Sequence, residues 1–362
     1  LSNAYDSPMA IKGVYMGVKP RSMRSVKTIN ELTLETRRRV TENDINELRR
    51  GAYTDASLLG DVMVTYNCGY ILNDTKMRHV IGESAKKLKM DNVSVVVNNR
   101  FSTDYKGLLP KNVSLLGVMP ASVAVGNVVT TADERFDGVV SVHFCAKSTL
   151  FTAYVEDYVA ATCVVPFGED DVIHDLCSSV FHDNKLWRKV YEVWDFINGV
   201  SKVKIKDRAG ATHSMDIENG NKMIAAAKMR IKEILKIGLD WIADQVECDY
   251  EKVIKNIVFT GTLADKAGFI DYESHAFPDS VCRRGDISEM LSNPDFADDN
   301  DYLPLIGLIQ MASENCVDDV APAIEVAPEP QKNTRKISIF TKAKDKVKVQ
   351  GGILRFDDDE TL

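Results

Sequence analysis

The segment Val139–Val155, VVSVHFCAKSTLFTAYV, holds the residues whose types and spacing come nearest to chemistry. Two apolar, β-rich arms flank a turn of small and polar residues, Cys145–Ser148. Such a turn can cradle a phosphate: Lys147 would supply a point charge, and Ser148 and Thr149 hydroxyl donors. The same residues also describe a plain hairpin with Lys147 in solvent. The plain hairpin is favoured, because a turn without glycine lacks the converging backbone N–H groups of an anion nest. His143 stands just before the turn. It could serve as a base, but on a β-rich strand it reads as a partly buried, hydrogen-bonded histidine.

Metal chemistry has little support. The six histidines are scattered, and His174 and His182, eight residues apart, have no further ligands nearby in sequence. The seven cysteines (Cys68, Cys145, Cys163, Cys177, Cys248, Cys282 and Cys316) form no C-x-x-C pair. Most sit among apolar residues, where free Cys behaves as a small hydrophobe. They imply a reducing, cytoplasmic compartment without structural zinc.

The turn must be positioned by the elements around it. Asp137-Gly138 is a turn signal, VVSVHF and TLFTAYV are strands, Glu156-Asp157 is a second turn, and YVAATCVVPFG is a third strand. Three strands joined by short turns make an antiparallel meander. In DDVIHDLCSSVF, Val172, Ile173, Leu176 and Val180 have helical spacing. SKVKIKDRAGATHSMDI alternates about Ala209-Gly210 and predicts a hairpin. The strongest helix follows at 222–247, with Ile224, Ala227, Ile231, Ile234, Leu235, Ile242 and Val246 in one stripe. VIKNIVFTG reads as a buried strand and YLPLIGLIQMAS as an apolar helix.

Upstream, IKGVYMGV is a strand, the stretch after it is polar and mixed, and Thr41 with Asp44 approximates a capping box before a helix at 42–50. DVMVTYNCGYIL is a strand with an irregularity near Gly69. VIGESAKKLKMDNVSVVVNN contains a helix candidate and a β-rich run. SLLGVMPASVAVGNVVT joins a short strand to a helix.

The chain has 362 residues, 44% hydrophobic and 27% charged, enough for two domains or one large one. A net charge of −8 argues against nucleic acid as a partner. No apolar run reaches the length of a membrane-spanning helix, and no secretory signal is visible at the start. After Cys316 the chain turns rich in Pro, Ala and acid, as in a disordered linker, and then mixes basic with apolar residues.

A meander around a small turn, a helix, and a later strand running into TG are landmarks of actin-like ATPase domains. Their order resembles the bacterial cell-division protein FtsA family. GVYMGV resembles the entry into that family's distinctive subdomain, and TENDINEL a helix start of the form T-x-x-D-V. VMPASVAVGNVV is similar to the helix before the second phosphate loop, CVVPFGEDDVIHDLC to the IPxGGxxITxDIA segment, IVFTGTLADKAGF to the IVLTGG adenosine loop, and LSNPDFADDNDYLPLIGLI to the closing helix. The resemblance runs from about Val14 to Phe356, and the ordered set is more specific than any single motif.

It implies an α/β chain of actin-like (ribonuclease H-like) subdomains, with mixed sheets flanked by helices and a disordered C-terminal tail. Residues 1–113 would end the first actin-like half and supply the distinctive subdomain. Residues 114–316 would form the second half, 317–334 a linker, and 335–362 a membrane-targeting tail. The chain would act as an adaptor that binds the C-terminal tail of FtsZ, self-associates like actin, and sits on the inner face of the cell membrane at the division site.

The departures concern the nucleotide. The family's first phosphate hairpin, of DIGT type, has no counterpart, so the chain begins where that half-domain should end. The second loop, DIGGGTTD, is replaced by HFCAKSTLF, with His143 in place of the Asp. The adenosine loop reads Thr260-Gly261-Thr262. Lys147, Ser148, Thr149, Gly261 and Thr262 therefore mark a degenerate site, and no cofactor is expected unless a missing N-terminal region restores ATP and Mg. The alternative is an active Mg-ATP-dependent ATPase using Lys147, Ser148 and Thr149. A sugar-kinase or chaperone relative is disfavoured, for lack of a glycine-rich phosphate loop.

For the FtsZ tail, the resemblance points to Lys222, Lys228 and Arg230. RIKEIL matches a run carrying one contacting Arg, but a second basic position falls near Asp216, which is acidic. In the tail, Ile339, Phe340, Ala343, Val347 and Leu354 fall broadly on one side of a helical wheel. Lys342, Lys344, Lys346 and Lys348 would meet anionic lipid, at about 1 kcal/mol each. Pattern alone leaves a disordered basic tail equally open, since Gly351-Gly352 weakens a helix; the family position favours the membrane.

Overall fold

The computed structural model describes residues 10–98, 105–178, 184–199, 202–206, 210, 212–216, 220–246, 254–287 and 302–318. The first elements are β1 (Ala10–Ile11), β2 (Gly13–Val18), β3 (Arg24–Arg39), α1 (Glu42–Ser57), β4 (Asp61–Leu72), β5 (Thr75–Met77) and β6 (Ser84–Val97). Next come β7 (Ser114–Pro120), α2 (Ala121–Val129), α3 (Ala132–Asp137), and the meander β8 (Val139–Phe144), β9 (Thr149–Val155) and β10 (Tyr158–Val165). Then follow α4 (Glu169–Ser178), α5 (Asn184–Val193), β11 (Lys202–Lys206), β12 (Thr212–Asp216) and α6 (Gly220–Val246). The last are β13 (Asn256–Thr260), α7 (Phe269–Ala276), β14 (Val281–Arg284), α8 (Leu303–Met311) and β15 (Val317–Asp318).

One nine-stranded sheet dominates, in the order β14-β13-β8-β9-β10-β3-β6-β4-β5. β13 lies parallel to both β8 and β14, and the other pairs are antiparallel. The meander forms as expected, and its second turn is tight because Glu156 and Asp157 both take positive φ, 53° and 66°. Alternation divides the meander strands between two layers. Val140, Val142, Phe151, Ala153 and Ala161 pack against α4, α5, α6 and α7, while Val139, Tyr154 and Val159 join α2 and Leu303 of α8 on the other face. This is a mixed sheet flanked by helices. The stripe on α6 is buried as its spacing predicts, with Ile231, Ile234 and Ile242 fully covered.

One expectation upstream is corrected. The helix candidate in VIGESAKKLKMDNVSVVVNN is strand: β6 pairs with β3 along most of its length. Ala85 and Leu88, three apart, mimic helical spacing because the register slips between Thr33 and Arg38, which turns both toward α1. The polar stretch before Thr41 is the sixteen-residue strand β3. Its partly buried positions include Thr28 and Asn30, which hide the apolar alternation by which a strand is read. α1 is also longer than expected. Asp44 accepts from Thr41 N at 2.7 Å and takes a bidentate pair from Arg38, at 2.7 Å to each oxygen.

The domain boundary at 113/114 falls between β6 and β7. Strands on its two sides pair nonetheless, β2 with β7 in parallel and β3 with β10 at Arg24–Cys163. Val317–Asp318, the start of the expected linker, pairs with Ala10–Ile11. The rest of the linker and tail lies outside the described residues.

Candidate functional site

The turn between β8 and β9 closes with Cys145 N donating to Ser148 O at 2.9 Å. α4 starts directly against it. Helix N-termini carry free N–H groups and a partial positive charge, the usual basis of a phosphate site. Here protein carbonyls take those donors: Glu169 N bonds Cys145 O at 3.0 Å, and Asp170 N bonds Ala146 O at 2.8 Å. Gly168 permits the approach, since a Cβ there would stand 2.3 Å from Cys145 O and 2.5 Å from Ser148 N. Three carboxylates, Glu169, Asp170 and Asp171, then occupy the first turn of α4 and oppose an anion.

The three residues singled out in the turn separate. Lys147 is exposed, Ser148 is buried, and Thr149 is fully buried with its Oγ1 donating to Phe167 O at 2.9 Å. Thr149 thus serves the fold. His143 is buried, with Nδ1 3.0 Å from Thr260 Oγ1 across the β8–β13 pair. Burial, helped by the charge of Lys19, lowers its pKa to about 4, so the ring is neutral at physiological pH.

The parallel pairing of β8 and β13 puts the second expected loop at the same sheet end, with His143 opposite Thr260. Gly261 has φ +97°, and a Cβ there would lie 2.2 Å from Phe144 O. Its freedom lets two strand ends meet. Thr262 is exposed. Sequence reasoning missed the polar cluster beside these loops. Tyr191 of α5 donates its hydroxyl to Glu169, and Lys266 Nζ donates to Tyr191 O at 2.5 Å while lying 3.9 Å from the ring centroid. Burial lowers the Lys266 pKa. No sequence motif links these residues.

On α6, Lys228 and Arg230 are held within the protein. Lys228 Nζ donates to Phe196 O at 2.6 Å and lies 4.3 Å from the Tyr272 ring centroid. Arg230 pairs with Asp175 at 2.7 Å and Glu233 at 2.6 Å. The exposed positions on this helix include Met229, Lys232 and Ile237. The side chain of Lys222 and the tail residues Ile339, Phe340, Lys342, Lys346 and Val347 lie outside the described residues. Among the described residues no three His, Cys, Asp or Glu side chains gather as a metal site, and no helix is long and apolar enough to cross a membrane.

No protein-family model matches the chain, and no curated protein does. Solved structures do. The PilM-PilN type IV pilus biogenesis complex contains a chain similar at a TM-score of 0.51 and 10% identity, over 82% of this chain and 78% of that one. The MamK double helical filament gives a TM-score of 0.40 at 17% identity, over 60% of this chain and 67% of that one. MreB 5 of Spiroplasma citri bound to AMPPNP gives 0.38 at 10% identity, over 56% of this chain; the match spans 60% of that chain. With its meander, parallel β13 and flanking helices, the chain has an actin-like α/β fold.

Proposed function

We propose that this chain is a non-catalytic, actin-like adaptor related to the FtsA family. It tethers FtsZ filaments to the cytoplasmic face of the membrane at the division site and self-associates. The observation that carries the non-catalytic part is the α4 N-terminus: its first donors are bonded to Cys145 and Ala146 carbonyls, and three carboxylates follow. The similar fold in the PilM-PilN structure belongs to a protein complex, which supports a partner-binding role.

The partner surface we favour is the outer face of α6. A cleft of about 210 Å³ lies beside Lys228, lined by Phe196, Ile197, Asn198, Gly199, Ile224 and Ala225. Met229 and Ile197 are exposed at 73% and 57%. Apolar anchors with a few cations suit a short acidic, apolar peptide. Lys232 is exposed for this role, whereas Lys228 and Arg230 would have to leave internal partners. Fluorescence anisotropy with an FtsZ C-terminal tail peptide should show saturable binding that weakens with salt and falls at least tenfold in Met229→Asp. No binding at low salt would overturn the assignment.

The membrane part rests on the tail pattern. Deleting residues after Asn333 should abolish co-sedimentation with anionic liposomes, and unchanged sedimentation would remove the anchor. Calorimetry of the full chain with Mg-ATP should give no binding heat. Micromolar binding would restore the ATPase alternative.

A further inference from the structure

Lys228 stands between the cleft and a buried carboxylate. It lines the cleft together with Phe196, Ile197 and Asn198. Its Nζ, bonded to Phe196 O, lies over the Tyr272 ring of α7. The next residue of α7 is Glu273, which is only 3% exposed. Among the described residues its carboxylate has neither a hydrogen bond nor an ion pair. A buried carboxylate without a donor keeps its charge only through the field of a nearby cation.

The titratable groups that face Glu273 are Lys228 from α6, Tyr272 on its own helix and Cys282 from β14. Burial holds Tyr272 and Cys282 neutral, the thiol pushed up to about 11. That leaves Lys228 as the cation acting on Glu273, and even against its pull burial raises the carboxyl to about 7. Asp195 also attracts Lys228. Its carboxylate accepts from Ile197 N and Asn198 N at 2.7 Å each, and these bonds keep it ionised. Asp195 is thus a fixed anion beside Lys228, and Glu273 a variable one.

A partner carboxylate that draws Lys228 into the cleft leaves an ionised Glu273 buried without its cation. A protonated Glu273 carries no such cost. We infer that this cleft is a proton-gated carboxylate site, in which an acidic side chain of the partner peptide takes Lys228 while Glu273 takes up a proton from solvent. This inference rests on the reading of the outer α6 face as the partner surface. The peptide's own carboxylates are ionised above about pH 5, so the proton enters at Glu273. Affinity is then flat where Glu273 is already protonated and falls as pH rises above 7, by at most about tenfold per pH unit.

The test is fluorescence anisotropy with the FtsZ C-terminal tail peptide at low salt, from pH 6 to 8.5, on the full chain and on Glu273→Gln and Lys228→Met. The parent Kd should rise several-fold above pH 7. Glu273→Gln should keep the tight low-pH affinity throughout, and Lys228→Met should bind several-fold more weakly with no rise. Calorimetry of the parent at pH 8, in two buffers of different ionisation enthalpy, should show proton uptake on binding. Burial also lowers the Lys228 pKa, but a rise caused by Lys228 losing its own proton would persist in Glu273→Gln. A flat parent profile, no proton uptake, the same rise in Glu273→Gln, or undiminished binding by Lys228→Met would overturn the inference and leave the α6 surface standing. Absence of binding by the parent at every pH would overturn the surface assignment, and the inference with it.

Discussion

At the residue scale, two buried titratable groups pull stability in opposite directions with pH. The folded pKa of His143, about 4, lies below its usual value of 6.5. Its contribution is present above pH 6.5 and is lost as pH falls through 4. Burial raises Glu273 from 4.5 to about 7, against the pull of Lys228. Its contribution is present below pH 4.5 and is lost as pH rises through 7. Between about pH 4.5 and 6.5 the two slopes, each about 1.4 kcal/mol per pH unit, nearly cancel. Denaturant unfolding across this window should therefore be almost flat for the parent chain. Glu273→Gln should make stability rise with pH, and His143→Gln should make it fall; parallel profiles for the two variants would refute the pairing. The hydrogen-bonded state of His143 was legible from its β-rich neighbours. The internal engagement of Lys228 was not. It stands four residues after Ile224 and three before Ile231, so it borders the apolar stripe, and only packing by α7 and Phe196 decides that its tip is covered.

At the element scale, α1 owes its start to Asp44, which caps Thr41 and holds Arg38. The Arg38 guanidinium keeps the Asp44 carboxyl far below the usual carboxylate range. Asp44→Ala removes the N3 half of the capping box and should cost about 1 kcal/mol, within the range of a lost helix-start cap, measurable by urea unfolding. Asp44→Asn should recover part of that loss, because an amide oxygen can still cap. This element was readable because its signal is local, Thr41 and Asp44 being three residues apart. β3 and the first half of β6 were not, because their identity lies in pairing. Asn30 is bonded to Asp55 of α1 at 2.8 Å, a partner 25 residues away, and the slipped register hides the period of β6.

At the scale of the whole molecule, the described chain closes on itself. β1 pairs with β15, and Cys316 O accepts from Lys12 N and Gly13 N at 2.9 and 3.2 Å. Tyr15 hydroxyl accepts from Ser313 N and Glu314 N at 3.3 and 3.1 Å. Removing the chain from Val317 onward should speed amide exchange at Ala10 and Ile11, while β8, β9 and β10, buried in the central sheet, keep their protection. Equal loss of protection in both regions would mean that the closure supports the entire fold.

What the sequence alone determined is whatever rests on local periodicity and turn chemistry. The meander, the α6 stripe, and the hairpin of β11 and β12 all follow from neighbours a few residues apart. Only the tertiary structure decided what the turn between β8 and β9 does. It delivers two carbonyls to the N-terminus of α4 and sets His143 against Thr260, 117 residues away. Hydrogen-bond donors accept whichever acceptor the fold brings, and a sequence does not show which one arrives.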